Sequence, residues 1–254
     1  MSFSELSANK RKSVLLRWVR KAVGKFGMLE EWDHVILAVS GGIDSLTMLD
    51  LMTERSPWWA NHIEVTAANV DAGFEHSGEN IEALRKFCDR REMDLRIIER
   101  PEISRIALGE DRPQNPCFIC SRMRRKALLE LADEIGANKI ALAHHREDVL
   151  ETFLINIFFG RQIGTMMPNQ ELFSGKFHLI RPLYLIEERK IKLYAKVMAF
   201  QDLSADCPVE STSRRIYVRR LLERIEKDIP GTKNNLFRAM FHTNVDYLLD
   251  RYSD

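Results

Sequence analysis

Residues 40–45 have the types and spacing of an anion-binding loop. They read Ser-Gly-Gly-Ile-Asp-Ser and follow a short apolar run that predicts a buried strand leading into a helix. Adjacent glycines let backbone N–H groups approach an anion, and the serine hydroxyls add donors at the positive end of the helix. Because Asp44 would repel a phosphate unless a cation lay between them, the loop predicts a nucleotide bound with Mg²⁺.

Two common nucleotide-binding motifs are excluded. The chain has no glycine loop followed by Gly-Lys-Ser/Thr, and it lacks the three spaced glycines of a dinucleotide fingerprint. The alternative interpretation is an ordinary strand-to-helix turn without a ligand. The complete set of serine, glycine and aspartate positions in a strand-to-helix context favours the nucleotide.

A second candidate site is the C-x-x-C pair Cys117 and Cys120, and the chain has four cysteines in total. Zinc usually takes four ligands as two close pairs, and only Cys207 remains, because Cys88 is predicted to be a buried core thiol. A thioredoxin-like pair would begin a helix directly after a strand, which the preceding segment does not resemble. An iron–sulfur cluster on three cysteines would leave one iron without a protein ligand. All three interpretations stay open, and the number of cysteines favours the cluster.

The elements that must position these residues alternate along the chain. The pattern predicts a Rossmann-like α/β fold, in which a parallel five-stranded sheet has helices on both faces. Strand-like runs lie at 34–40, 63–70, 94–99, 139–145 and 177–183, and helical patterns at 43–54, 79–92, 121–135 and 147–159. The carboxyl ends of these strands, where ligands bind, would position Ser40, Asp71, His144 and Arg181. The proline-containing segment 101–116 predicts a loop over the site.

Three regions are predicted. Residues 1–28 contain a basic amphipathic helix, residues 29–185 form the nucleotide-binding α/β domain, and residues 186–254 form a helical C-terminal extension with Cys207. The 254 residues, of which 45% are hydrophobic, suit one α/β domain with an appendage. Because no apolar run approaches the ~20 residues of a membrane span and no secretory signal is seen, we expect a cytoplasmic protein without a membrane partner.

The net charge of +1 gives no evidence of a nucleic-acid partner, but the basic residues are clustered. One cluster is free of acidic residues from Lys10 to Lys25, a second follows the cysteine pair, and a third lies near residue 214. Such clusters suit a phosphate backbone, although solvated helix faces explain any single cluster equally well. The candidate RNA-binding residues are Arg17, Arg20, Lys21, Arg122, Arg124, Arg125, Arg214 and Arg215.

Together these segments resemble the tRNA 2-thiocytidine synthetase branch of the PP-loop ATP pyrophosphatase family. Besides residues 40–45, the similarity includes CFICSRMRRKAL from Cys117, GANKIALAHHRED from Gly136, and IRPL from Ile180. A further similar stretch extends from Ser213 to Gly231. The sequence departs from the family at Ile43, where Lys is usual, and at Ala143, where Gly is usual.

The resemblance implies an enzyme that uses ATP to adenylate the C2 carbonyl of a tRNA cytidine and replaces its oxygen with sulfur. It implies a [4Fe–4S] cluster on Cys117, Cys120 and Cys207, which with Asp44 are the candidate catalytic residues. Asp44 is also the candidate Mg²⁺ ligand. The candidate ATP-binding residues are Ser40, Gly41, Gly42, Asp44, Ser45, Asp71, His144, His145, Asp148 and Arg181.

The expected partners are tRNA, ATP, a sulfur donor (a cysteine desulfurase or sulfide) and a second copy in a homodimer. The sequence leaves two alternative functions open. One is a PP-loop thiolase or ligase that acts on another RNA base or a small molecule through a cysteine persulfide. The other is a non-catalytic iron–sulfur protein that binds RNA.

Overall fold

The computed structural model describes residues 2–54, 57–75, 77–109, 116–204 and 214–247. Nine α-helices and six β-strands are assigned within these ranges. The strands are β1 (His34–Ala38), β2 (Glu64–Asp71), β3 (Leu95–Glu99), β4 (Lys139–Ala141), β5 (Asn169–Leu172) and β6 (Phe177–Ile180). The helices are α1 (Ala8–Lys25), α2 (Ile43–Met52), α3 (Ser77–Asp89), α4 (Glu102–Leu108), α5 (Pro116–Ile135), α6 (Arg146–Gly160), α7 (Glu188–Val197), α8 (Arg214–Asp228) and α9 (Thr232–Ala239).

The strands form one mostly parallel sheet in the order β3-β2-β1-β4-β6-β5. The α/β fold and all five predicted strands are confirmed, but the predicted number of strands is wrong because β5 adds a sixth. This strand pairs antiparallel with β6 at the edge of the sheet. Its sequence, Asn-Gln-Glu-Leu, has no apolar run, because an edge strand can keep most of its side chains out of the core.

Apolar packing fixes the sheet and the helices around it. On α5, Leu128 and Ala132 pack with Ile36, Ile140 and Leu179 from three neighbouring strands. The predicted amphipathic character of the N-terminal helix is confirmed, since α1 buries a stripe of residues at helical spacing. These buried residues are Leu15, Leu16, Val19, Ala22 and Val23.

The predicted loop over residues 101–116 is wrong in part, because Glu102–Leu108 forms helix α4. Ile103 and Ala107 are buried against Ala72 and Phe74, so an i,i+4 apolar pair stabilises this short helix within an otherwise polar segment. Helix α5 also begins earlier than predicted, at Pro116, a residue type that suits the first turn of a helix. Residues 110–115 of the predicted loop lie outside the described residues.

The chain divides into two compact units. Unit 1 comprises the described residues within 1–147 and 167–213, and unit 2 those within 148–166 and 214–254. The domain ranges expected from the sequence stay a prediction. Throughout the described ranges, no helix has both the length and the apolar character needed to cross a membrane.

Candidate active site

The loop between β1 and α2 is shaped by its own hydroxyl groups. Gly42 is the N-cap residue of α2 and has an extended backbone. Ser45 Oγ donates a hydrogen bond to the Gly42 carbonyl at 2.8 Å, and Ser40 Oγ lies 3.2 Å from Ser45 Oγ. The serines thus hold the chain against the N-terminus of α2, where the helix dipole and the first N–H groups favour an anion. This geometry is the one predicted for residues 40–45.

Gly41 is required by both its backbone and its surroundings. Its φ of +91° is in the left-handed region, and an added Cβ would lie 2.3 Å from the Leu203 carbonyl oxygen. The Leu203 N–H also donates to the Gly41 carbonyl at 3.0 Å. We call residues 40–45 the phosphate loop and residues 201–204 the covering segment. The covering segment lies so close to the phosphate loop that only glycine fits at position 41.

A cavity of about 240 Å³ lies beside this loop. Such a volume is below the range of whole drug-sized ligand sites, so the cavity suits part of a nucleotide. Its position at the carboxyl ends of β1 and β2 agrees with the rule for open α/β sheets. The residues that line it are Ser40, Asn69, Val70, Asp71, Ala72, Ser77, Asn80, Ile81, Leu84, Arg124, Leu203 and Ser204.

Asp71 lies both at the cavity and in a local turn. It lines the cavity, and its Oδ1 accepts the Gly73 N–H at 2.9 Å in a local turn. Asn69 and Asn80 also line the cavity but were not predicted as site residues. The sequence gives little indication that they belong to a site, because isolated asparagines are also common in ordinary turns and helix caps.

The structure places Arg124 in the cavity, although the sequence grouped it with RNA-binding residues. Its guanidinium centre lies 5.8 Å from the centroid of the Phe74 ring. Its Nε is buried and has no hydrogen-bond partner among the described residues. Because a buried donor without an acceptor is costly, Arg124 is suited to an anionic ligand in this cavity. The signal in the sequence was its position four residues after Cys120.

The cysteine pair lies in the first turn of α5. Cys117 is exposed and Cys120 is half-buried, and Cys120 packs against the group that contains Ala72 and Phe74. Cys120 and Arg124 are one helical turn apart, which brings the cysteine pair close to the cavity along one helix face. Cys88 is buried, and this burial raises the pKa of its thiol to about 11, so it is suited to a core role.

The predicted cluster ligand Cys207 lies outside the described residues. Within the described ranges, no group of three or more His, Cys, Asp or Glu side chains is arranged to hold a metal ion. The three-cysteine ligand set therefore stays a prediction.

His145 connects the phosphate loop to a carboxylate that the sequence did not single out. Its Nε2 lies 3.7 Å from Asp44 Oδ2, and its Nδ1 lies 3.3 Å from Glu147 Oε2. Burial acts to raise the pKa of Glu147, but hydrogen bonds from His145 and from the Glu188 N–H, at 2.7 Å, lower it overall. The ionised Glu147 can thus orient His145 towards Asp44. The neighbouring His144 is half-buried.

Two other candidate ATP ligands have protein partners. Arg181 is buried, donates a hydrogen bond to the Met167 carbonyl, and is not among the residues that line the cavity. Asp148 is buried, and its Oδ1 lies 3.5 Å from Arg215 Nη1. The ATP-binding roles of both residues stay predictions.

The remaining basic candidates differ in their exposure. Arg17, Arg20 and Lys21 are exposed on α1, Arg122 is exposed on α5, and Arg125 is half-buried. On α8, Arg214 is exposed, whereas Arg215 forms ion pairs with Asp148 and Glu151. The clusters seen in the sequence therefore contain both exposed residues and residues committed to internal contacts.

The mostly parallel sheet and the loop between β1 and α2 define a nucleotide-binding protein of the α/β class. Comparison with known families shows a match of residues 15–224 to the PP-loop domain. The chain therefore belongs to the PP-loop family, which confirms this part of the resemblance seen in the sequence.

Two curated relatives and one solved structure bear out the branch of the family that the sequence resembles. The chain is 36% identical to the tRNA-cytidine(32) 2-sulfurtransferase of Polynucleobacter asymbioticus, over 95% of this chain and 80% of that one. It is 34% identical to the protein of the same name from Methylobacillus flagellatus, over 95% and 79%. The structure of U34-tRNA thiolase NcsA from Methanococcus maripaludis with its [4Fe-4S] cluster is similar with a TM-score of 0.75 at 26% identity, covering 92% of this chain and 79% of that one.

Proposed function

We propose that the protein is an ATP-dependent tRNA sulfurtransferase that makes 2-thiocytidine. The observation that carries this proposal is one cavity on which three parts of unit 1 meet. These parts are the phosphate loop, the face of α5 one turn after Cys120, and the covering segment, which ends three residues before Cys207. Membership of the family supports tRNA as the substrate and ATP as the activating nucleotide.

The phosphate loop binds ATP in the first step. The N–H groups at the start of α2 hold the phosphates, and His145 and Glu147 keep Asp44 in position. Asp44 would be the ligand of Mg²⁺, which would offset the negative charge of the phosphates. The cytidine O2 attacks the α-phosphate, forming an O–P bond as the bond to pyrophosphate breaks. Arg124 and the loop N–H groups stabilise the charge that develops on the phosphates. The product is an adenylated base, whose poor oxygen leaving group has become AMP.

Cysteine residues of α5 suit an iron–sulfur cluster. Thiolates are the usual ligands of such clusters, and Cys117 and Cys120 lie at i,i+3 positions on one helix face. We propose that Cys117, Cys120 and Cys207 hold a [4Fe–4S] cluster, a cofactor supported by the likeness to the iron–sulfur thiolase. When bound, the cluster supplies the sulfur that replaces AMP at C2. Packing of Cys120 against Ala72 and Phe74 fixes its side of the helix close to the cavity.

The finer features of the reaction are also proposals. The names of the relatives support cytidine 32 as the modified base. Sulfide replenishes the sulfur, either directly or after thiols reduce the persulfide of a cysteine desulfurase and are oxidised to a disulfide. The enzyme acts in the cytoplasm, and it is a homodimer. Mass spectrometry of tRNA nucleosides from a strain that lacks this gene tests the base, and sedimentation of the anaerobic protein tests the dimer.

Alanine substitution of each cysteine, together with the colour and activity of the wild-type protein, separates this function from its alternatives. Cys117→Ala, Cys120→Ala and Cys207→Ala are each expected to lower the iron content and stop thiolation of tRNA while ATP binding persists. Cys88→Ala is the matched control and is expected to keep both properties. A colourless, fully active wild-type protein would support a persulfide mechanism instead, and an iron-containing protein that never releases pyrophosphate with tRNA would support a non-catalytic role.

A further inference from the structure

The structure divides the arginines at the start of α8 into an inner and an outer pair. Arg219 Nε donates to Glu151 Oε1 at 2.7 Å, and Arg215 Nε lies 3.5 Å from Glu151 Oε2. Glu151 is buried, and burial raises its pKa despite the hydrogen bond from Arg219. The inner pair, Arg215 and Arg219, is therefore committed to holding α8 against α6 within unit 2.

The outer residues of the same two turns are exposed. Arg214, Tyr217 and Arg220 recur every three residues, which places them in one row along the helix. The Arg214 guanidinium centre lies 4.8 Å from the centroid of the Phe159 ring at the end of α6. Phe159 is 42% exposed and Tyr217 is 62% exposed. Aromatic rings and arginines thus alternate on a surface that is not part of the hydrophobic core.

We infer that Phe159, Arg214, Tyr217 and Arg220 form a stacking platform for unpaired bases of an RNA loop. This inference rests on the proposed function, because a tRNA thiolase must bind a nucleotide whose base has left the stack. Single-stranded RNA is recognised by stacking of bases on aromatic rings and guanidinium planes, with nearby arginines on the phosphates. The platform thus contacts the unpaired loop of the RNA. The RNA-binding role predicted for α1 depends on charge alone.

Charge favours RNA over a second protein copy as the occupant. No acidic residue precedes Glu223 in α8, and the inner arginines already neutralise the buried carboxylate on α6. A self-complementary contact across such a face would bring like charges together, which is unfavourable. A polyanion with exposed bases satisfies both the arginines and the rings.

The test compares two RNAs of equal length, an anticodon stem-loop and a fully paired duplex. Phe159→Ala and Tyr217→Ala are each expected to weaken stem-loop binding by about tenfold, the loss of one base–aromatic stack, and to leave duplex binding unchanged. The Phe159→Tyr variant is expected to bind like wild type. The control Phe173→Ala removes another exposed phenylalanine, from the turn between β5 and β6, and is expected to change neither affinity.

Salt dependence separates stacking from charge. Neutralising Arg17, Arg20 and Lys21 together is expected to flatten the dependence of RNA affinity on salt, whereas the two aromatic variants are expected to leave that slope unchanged. Alanine variants that bind both RNAs as wild type does would overturn the platform. Variants that only convert a dimer to a monomer would also overturn it and assign the face to a second copy.

Thiolation assays distinguish this inference from the function beneath it. A wild-type enzyme that thiolates tRNA, with aromatic variants that bind the stem-loop normally, overturns the platform and leaves the function intact. A wild-type protein that binds the stem-loop through these rings but thiolates no tRNA supports the platform and overturns the proposed function.

Discussion

Helix α2 has an aspartate near each end, and the two are in opposite surroundings. The Asp50 side chain is 6% exposed, accepts hydrogen bonds from Arg91 at 2.6 Å and Tyr194 at 2.6 Å, and lies 3.3 Å from Lys12 Nζ. The Asp44 side chain is 41% exposed and lies 3.7 Å from His145 Nε2. A carboxylate enclosed by donors of the protein stabilises the fold, whereas one at an open helix N-terminus can accept a cation.

The largest expected effect is on the open aspartate. Asp44→Asn is expected to lower ATP-dependent pyrophosphate release by about a thousandfold or more, because the loop would lose the negative charge that holds Mg²⁺. Its midpoint of thermal unfolding and its iron content are expected to match wild type, since the side chain is not in the core. Asp94→Asn, at another exposed aspartate, is the control. An Asp44→Asn protein that forms AMP at a near wild-type rate would show that the loop is wrongly assigned.

The enclosed aspartate is expected to show the reverse pattern. Asp50→Asn should lower the free energy of unfolding by about 3 kcal/mol, because it leaves the partly buried Arg91 without its counter-charge. The amide oxygen can still accept the Tyr194 hydroxyl, so the loss should not exceed that value greatly. Chemical denaturation measures the loss, and activity per folded molecule is expected to persist. If Asp50→Asn lost activity but kept normal stability, Asp50 would have a role in the reaction, as is proposed for Asp44.

A smaller effect is expected for the hydroxyl that shares Asp50. The pKa of Tyr194 is raised by burial and by its hydrogen bond to Asp50, so the hydroxyl stays protonated and donates. Tyr194→Phe removes one buried hydrogen bond to a charged group and should cost about 1.5–2 kcal/mol of unfolding free energy. Denaturant titration of Tyr194→Phe, Asp50→Ala and the double variant tests the coupling, because alanine removes the acceptor of the hydroxyl, and strictly additive losses would show that the two groups do not interact.

The sequence could predict Asp44 as a site residue but gave Asp50 no role. Asp44 lies in a local motif whose glycines and serines determine the backbone within six residues, and apolar runs similarly predicted five strands. The partners of Asp50 are Lys12, Arg91 and Tyr194, which come from three other helices or their ends. Such contacts depend on tertiary packing, and no spacing in a single sequence encodes them.

The same limit explains the misplaced or missed elements. Strand β5 has a polar sequence and is recognised through its pairing with β6, and α4 depends on burial of Ile103 and Ala107. Arg124 was grouped by charge with neighbours on α5, but the helical rotation between adjacent residues turns it into the cavity and leaves Arg122 exposed. The sequence shows which residues are charged, but only the fold shows which of their side chains face the cavity.

The smallest expected effect concerns Glu147, which supports the open aspartate through His145. Because the pKa of Glu147 is lowered in the folded protein, its charge stabilises the fold at pH values above the ordinary carboxyl pKa, and this contribution is lost as the pH falls through the lowered value. Glu147→Gln should therefore be slightly less stable than wild type at neutral pH and equally stable in acid. The expected loss is smaller than that for Tyr194→Phe, since the amide oxygen still accepts the Glu188 N–H.

The Glu147→Gln variant should also weaken Mg²⁺-dependent ATP turnover without abolishing it, because His145 loses the partner that orients it towards Asp44. Stability curves over pH, with Glu171→Gln as an exposed control, measure the first effect and pyrophosphate release measures the second. A stability difference that is constant from neutral to acid pH would show that the ionised Glu147 does not hold His145, and would leave Asp44 positioned by α2 alone.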